Sequence, residues 1–129
     1  MRESEDSGGS HLSPALVARL RLRLQTERRD ATGRLERKLF EARGANDPDV
    51  GDEVDRAVES TEVTRLLGAA RKERALIREI DRALGKLDVG AYGICEGTGE
   101  PIAERRLEAQ PWTRYSLAYL EMMESRRAY

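Results

Sequence analysis

The sequence predicts a mainly α protein, a long antiparallel coiled-coil helical hairpin followed by a small C-terminal knuckle and a C-terminal helix. Three observations predict it. Two long, charged stretches repeat apolar residues at helical spacing, an acidic turn separates them, and a Gly-rich segment with short β-prone pieces follows. The expected division is residues 1–12 as a disordered tail, 13–87 as the hairpin with its acidic tip at 45–57, and 88–129 as a globular region ending in a helix.

Composition supports an exposed helical architecture. Of 129 residues, 39% are apolar and 36% charged, with one Phe and one Trp, too little apolar material for a round core. The net charge of −1 gives no general attraction to phosphate, so direct sequence-specific DNA binding is not expected. No apolar run approaches the roughly 18 residues of a membrane span, and the start, MRESEDSGGS, is acidic where a signal peptide is basic and then apolar. A single cysteine, Cys95, makes no internal disulfide. Both features fit a cytoplasmic protein without a membrane partner.

The first residues, to about position 11, are rich in Ser, Gly and acids and carry no periodicity; His11, the one histidine, is read as solvated. Ser13 before Pro14 is a helix start, an N-cap followed by a first-turn proline. From there Val17, Leu20, Leu24, Glu27, Ala31, Leu35, Leu39 and Ala42 form a stripe close to the 3.5-residue repeat of coiled coils. With Gly44 as a C-cap, the arm runs about 31 residues, or about 45 Å at roughly 1.5 Å per residue.

Pro48 and Gly51 interrupt the helical pattern, and five acids (Asp47, Asp49, Asp52, Glu53, Asp55) crowd the same turn. Asp52 suits the N-cap of the returning helix, with Asp55 three residues on in the acidic position of a capping box. The returning stripe is Val63, Leu66, Ala70, Glu73, Ile77, Ile80, Leu84 and Leu87, which matches the first arm in an antiparallel pair. Leu16, Leu20, Leu84 and Leu87 fall at the end far from the turn, where they can join a C-terminal module.

That module reads DVGAYGICEGTGEPIAERRLEAQP over residues 88–111, with β-prone pieces at 91–94 and 101–103 around a Gly-rich turn. The pattern of Tyr92, Gly93, Cys95, Thr98, Gly99, Ile102, Arg106, Leu107, Ala109 and Pro111 resembles the zinc-finger region of the DksA/TraR family of bacterial transcription regulators. The tip is similar to that family's acidic element too, at Asp52, Asp55 and Ala57, and the likeness covers roughly residues 45–120. The resemblance implies a regulator, not an enzyme, that binds bacterial RNA polymerase as a monomer and inserts its tip into the secondary channel. There Asp52 and Asp55 would make the contacts and Ala57 would permit close approach.

Two departures accompany the resemblance. The family's four structural zinc-ligand positions fall on Cys95, Thr98, Ser116 and Tyr119, of which one is a thiol, and hydroxyls are poor zinc ligands. Zinc is therefore not expected. Trp112, Tyr115, Leu117, Tyr119, Leu120, Met122 and Met123 are expected to hold the zinc-finger-like knuckle in its place, with Thr98 and Ser116 hydrogen-bonding across the former site. The basic positions that bind ppGpp, the alarmone of the stringent response, fall on Glu79, Gln110 and Leu120, which argues against a ppGpp response unless the polymerase supplies the cations. Two other readings share the architecture: a Gre-like transcript-cleavage factor whose tip acids hold Mg²⁺, and a coiled-coil adaptor without polymerase activity.

Overall fold

The computed structural model describes residues 11–45 and 53–127, with the side chains of Ala45 and residues 53–59 outside that description. The elements are α1 (Pro14–Ala45), α2 (Glu53–Asp88), α3 (Glu104–Ala109) and α4 (Leu117–Arg127). Mainly α architecture is thus realised, with two helices of 32 and 36 residues. Two compact units divide the chain: Met1–Glu27 with Glu79–Tyr129, and Arg28–Arg78. The division falls inside the long helices, so the residues that precede Arg28 and follow Arg78 group with the knuckle and not with the rest of the hairpin.

α1 starts where Ser13 and Pro14 place it. The Ser13 hydroxyl accepts from the Leu16 N–H at 3.1 Å, which satisfies one of the donors that a helix start leaves orphaned. The helix continues through Gly44 to Ala45, so Gly44 does not act as the expected cap. Asp52, the expected cap of α2, lies outside the described residues.

In the unit formed by Arg28–Arg78, α1 and α2 run antiparallel, and Ala31, Ala42, Leu66 and Ala70 are buried. Small side chains dominate this seam. Glu73, on the predicted stripe, is an acid only 13% exposed that accepts from Arg34 at 2.9 Å and Lys38 at 3.2 Å. Those bonds, led by the one from Arg34, hold its carboxyl below the usual carboxylate range against the opposing effect of burial.

The other unit has a fuller interior. Leu12, Leu16, Leu20, Leu24, Ile80, Ala83, Tyr92, Ile102, Leu107 and Pro111 are buried. Here the stripe differs from the sequence reading: Ala83 is buried, whereas Leu84 and Leu87 are half-buried. The tail reading also changes at its end. Leu12 is buried, and the His11 Nε2–H donates to the Ile102 carbonyl at 2.9 Å, so a long-range contact orders residues that show no local pattern. Gly93 makes this possible. It takes φ +88°, and a Cβ there would come 3.1 Å from the His11 ring and 3.2 Å from Leu12.

Candidate functional site

Of the three tip residues, Asp52 lies outside the described residues, while Asp55 and Ala57 fall in the first turns of α2 without described side chains. The knuckle is fully described. Its two β-prone pieces form no strand but one antiparallel bridge, Ile94 with Pro101. Around it the Cys95 N–H donates to the Glu100 carbonyl at 2.8 Å, Gly99 to Cys95 at 2.9 Å, and Ile102 to Gly93 at 2.7 Å. A turn this tight leaves room for one bridge only.

Of the four positions that the resemblance assigns to zinc ligands, Thr98 and Ser116 meet at the sulfur of a third, Cys95. The thiol is buried, at 1% exposure. Burial pushes its pKa up, but Thr98 and Ser116 each direct a hydroxyl and a backbone N–H at the sulfur, and together they bring it down to about 6. Hydrogen-bond donors here take the place that a cation would occupy beside a thiolate. Ser116 does double duty as the N-cap of α4, its hydroxyl accepting from the Tyr119 N–H at 3.2 Å. Thr98 likewise accepts from the Glu100 N–H at 3.2 Å.

Tyr119, the fourth position, contributes its ring. It stacks on Tyr115 with centroids 5.1 Å apart and lies over Gly97, where an added Cβ would come within 2.3 Å of it. Only glycine leaves room for this approach.

The expected aromatic and methionine clip differs from this arrangement. No residue of α4 is buried, and Leu117, Leu120 and Met122 are exposed. Trp112 is half-buried, lining an open hollow with Pro101, Ala103 and Leu117. The buried side chains of the knuckle lie upstream instead. Tyr92 donates its hydroxyl to the Pro111 carbonyl at 2.9 Å, and burial pushes its pKa up to about 12. Arg106 ties α3 to the next turn through the Tyr115 carbonyl at 2.9 Å and the Thr113 hydroxyl at 3.2 Å. Tyr92, Ile102 and Leu107 are buried, though too scattered in sequence to show a helical or strand period.

A charge cluster that sequence reasoning missed holds the rim. Glu96 accepts from Lys86, from Arg114 at 3.0 Å, and lies 3.7 Å from Arg82. Burial opposes its charge, yet the bonds from Lys86 and Arg114 prevail and lower its pKa. Arg114 also reaches Glu79 at 3.7 Å. Two of the three positions where the resemblance places ppGpp-binding cations thus carry an ion-paired carboxylate, Glu79, and an exposed apolar side chain, Leu120.

The helix pair and this turn-and-helix knuckle define a finger-type protein, and comparison with known proteins says which. Residues 90–118 match the family described as the prokaryotic dksA/traR C4-type zinc finger. The RNA polymerase-binding transcription factor DksA of Escherichia coli (strain K12) is 33% identical over 109 residues, covering 83% of this chain and 70% of that protein. DksA of Caulobacter vibrioides (strain NA1000 / CB15N) is 43% identical over 75 residues, 58% of this chain and 53% of that protein. The chain therefore spans only about half the length of that relative. Among solved structures, transcription factor DksA2 from Pseudomonas aeruginosa matches with a TM-score of 0.84 at 29% identity, covering 98% of this chain and 95% of that one.

This chain belongs to the DksA/TraR family of transcription regulators. Its donor set does not fit the family's C4 zinc. One cysteine stands at the four positions, and among the described residues no group of three or more His, Cys, Asp or Glu is placed to hold a metal.

Proposed function

We propose that this protein regulates transcription initiation by binding RNA polymerase and inserting the acidic tip of its hairpin into the secondary channel, without zinc and without catalysis. The observation that carries the reading is the match to an RNA polymerase-binding transcription factor over 83% of the chain, which includes the hairpin as well as the knuckle. The acids at Asp52 and Asp55, with the small Ala57 beside them, suit approach to a site rich in Mg²⁺ and basic groups.

The buried Cys95, with donors from Thr98 and Ser116 at its sulfur, and the buried Tyr92, Ile102 and Leu107 support folding of the knuckle without metal. Glu79, already held by Arg114, supports an action independent of ppGpp. No helix among the described residues is long and apolar enough to cross a membrane; action as a cytoplasmic monomer is part of the proposal.

The test is retention of RNA polymerase by the immobilised protein, followed by multi-round transcription from a ribosomal RNA promoter. Wild type should bind and alter transcript yield, whereas Asp55→Asn should bind with unchanged helical circular dichroism and lose most of the effect. Failure of wild type to bind polymerase would end this reading.

A further inference from the structure

The open hollow beside Trp112 serves neither the tip nor the Cys95 turn. It measures about 720 Å³, and its lining includes Pro101, Ala103, Arg105, Arg106, Trp112 and Leu117. Pro101, Ala103 and Leu117 are exposed, and Trp112, the chain's one tryptophan, is half-buried. Apolar surface of this kind is stabilised by a cover that removes it from water. The charged part of the lining is cationic only, since among the described residues no acid lines the hollow. Arg106 is engaged by the Tyr115 carbonyl and the Thr113 hydroxyl, whereas among the described residues none pairs with the exposed Arg105.

The chain's own first residues begin at this place. His11 donates to the Ile102 carbonyl at 2.9 Å, and Ile102 sits between Pro101 and Ala103, which both line the hollow. The buried Leu12, against Gly93, fixes that anchor. Residues 1–10, outside the described residues, read MRESEDSGGS: three acids against one arginine, then a Gly-Gly pair between serines. An extended chain covers about 3.3 Å per residue, so the five or so residues between His11 and Asp6 are ample to bring the acids to Arg105. A segment tethered this closely acts at an effective concentration on the order of millimolar, so weak surface ion pairs suffice to hold it.

We infer that residues 1–10 form a strap over this hollow in the same chain. Gly8 and Gly9, with no side chains, lie against the apolar surface of Trp112 and Leu117, and Glu3, Glu5 and Asp6 pair with Arg105. The strap is an autoinhibitory contact, which any partner of this face of the knuckle has to displace. It does not rest on the polymerase-binding reading.

Trp112 reports its own cover, so the fluorescence of the full chain tests the strap. Glu3→Lys with Glu5→Lys and Asp6→Lys should shift Trp112 emission to the red and raise its quenching by acrylamide, and Arg105→Glu should do the same. Combining the two sets re-forms the pairs with their signs exchanged and should return emission and quenching towards wild type. High salt should move wild type in the direction of the single reversals. Thermal melting checks folding, and if Arg105→Glu melts early, Arg105→Gln serves and should expose Trp112 likewise. Wild-type emission and quenching in the variants of residues 3–6, or a combined variant no better covered than either set alone, would overturn the strap. Cover that is lost on dilution would also overturn it, in favour of a second copy of the chain.

Discussion

The two compact units hold themselves together by different means. The knuckle unit buries large side chains brought from far apart in sequence, Leu16 and Leu24 from α1, Ile80 from α2, Tyr92, Ile102 and Leu107 from the knuckle and α3. The Arg28–Arg78 unit buries mostly alanine, with Leu66 as its one large buried residue among those described, and leans on the partly buried trio of Glu73, Arg34 and Lys38. Apolar burial contributes roughly 25 cal/mol per Å², so the first unit should carry most of the stability. The second is free to be charged, which suits a segment that makes its contacts with a partner.

Core truncation breaks the comparison most sharply. Leu107→Ala, at a side chain with no exposure, should cost about 4 kcal/mol in denaturant unfolding, and Leu66→Ala about 2 kcal/mol. If Leu66→Ala proves the costlier, stability does not reside where burial places it.

Gly97→Ala comes next. A Cβ 2.3 Å from the Tyr119 ring forces that ring and the start of α4 to move, an overpacking cost of about 1 to 3 kcal/mol. Adding Tyr119→Ala should restore part of the loss, and a double variant no more stable than Gly97→Ala would show that the contact is not the cause.

The Glu73 trio gives a smaller effect with a distinct pH signature. Because its folded pKa is depressed, the stability it contributes is fully present above the ordinary carboxylate range and is lost as pH falls through the folded value. Glu73→Gln should therefore cost about 1 kcal/mol at neutral pH, and its melting temperature should converge on wild type as the medium is acidified. A difference that persists in acid would assign the effect to packing and not to charge.

The helical elements were legible because their signals are local. Ser13 with Pro14 marks a helix start in any context, and buried Leu20, Leu24, Ala31, Leu66, Ala70 and Ile80 all lie on the stripes that periodicity picks out. The family resemblance, not a local pattern, put Cys95, Thr98 and Ser116 in one place, and the aromatic clip expected around them is not how the knuckle is packed. An apolar stripe says that a helix has an apolar face but not whether anything covers it, and α4 leaves its Leu117 and Met122 exposed. Leu12 and His11 were invisible for the opposite reason: their partners, Gly93 and Ile102, lie some eighty residues or more away, and no local pattern encodes the meeting. The Ser116 cap could have been found, since a serine directly before a helical stretch is a strong N-cap signal.

The central claim is that a hydrogen-bonded cysteine and a packed base do for this knuckle what zinc does in a C4 finger. The most direct measurement is the zinc content of the purified protein, taken with its melting temperature before and after a strong chelator. The account predicts no stoichiometric zinc and an unchanged melting temperature, because one thiol with hydroxyl neighbours lacks the donors for a four-coordinate site. One zinc per chain that survives dialysis, with melting lowered on its removal, would contradict it.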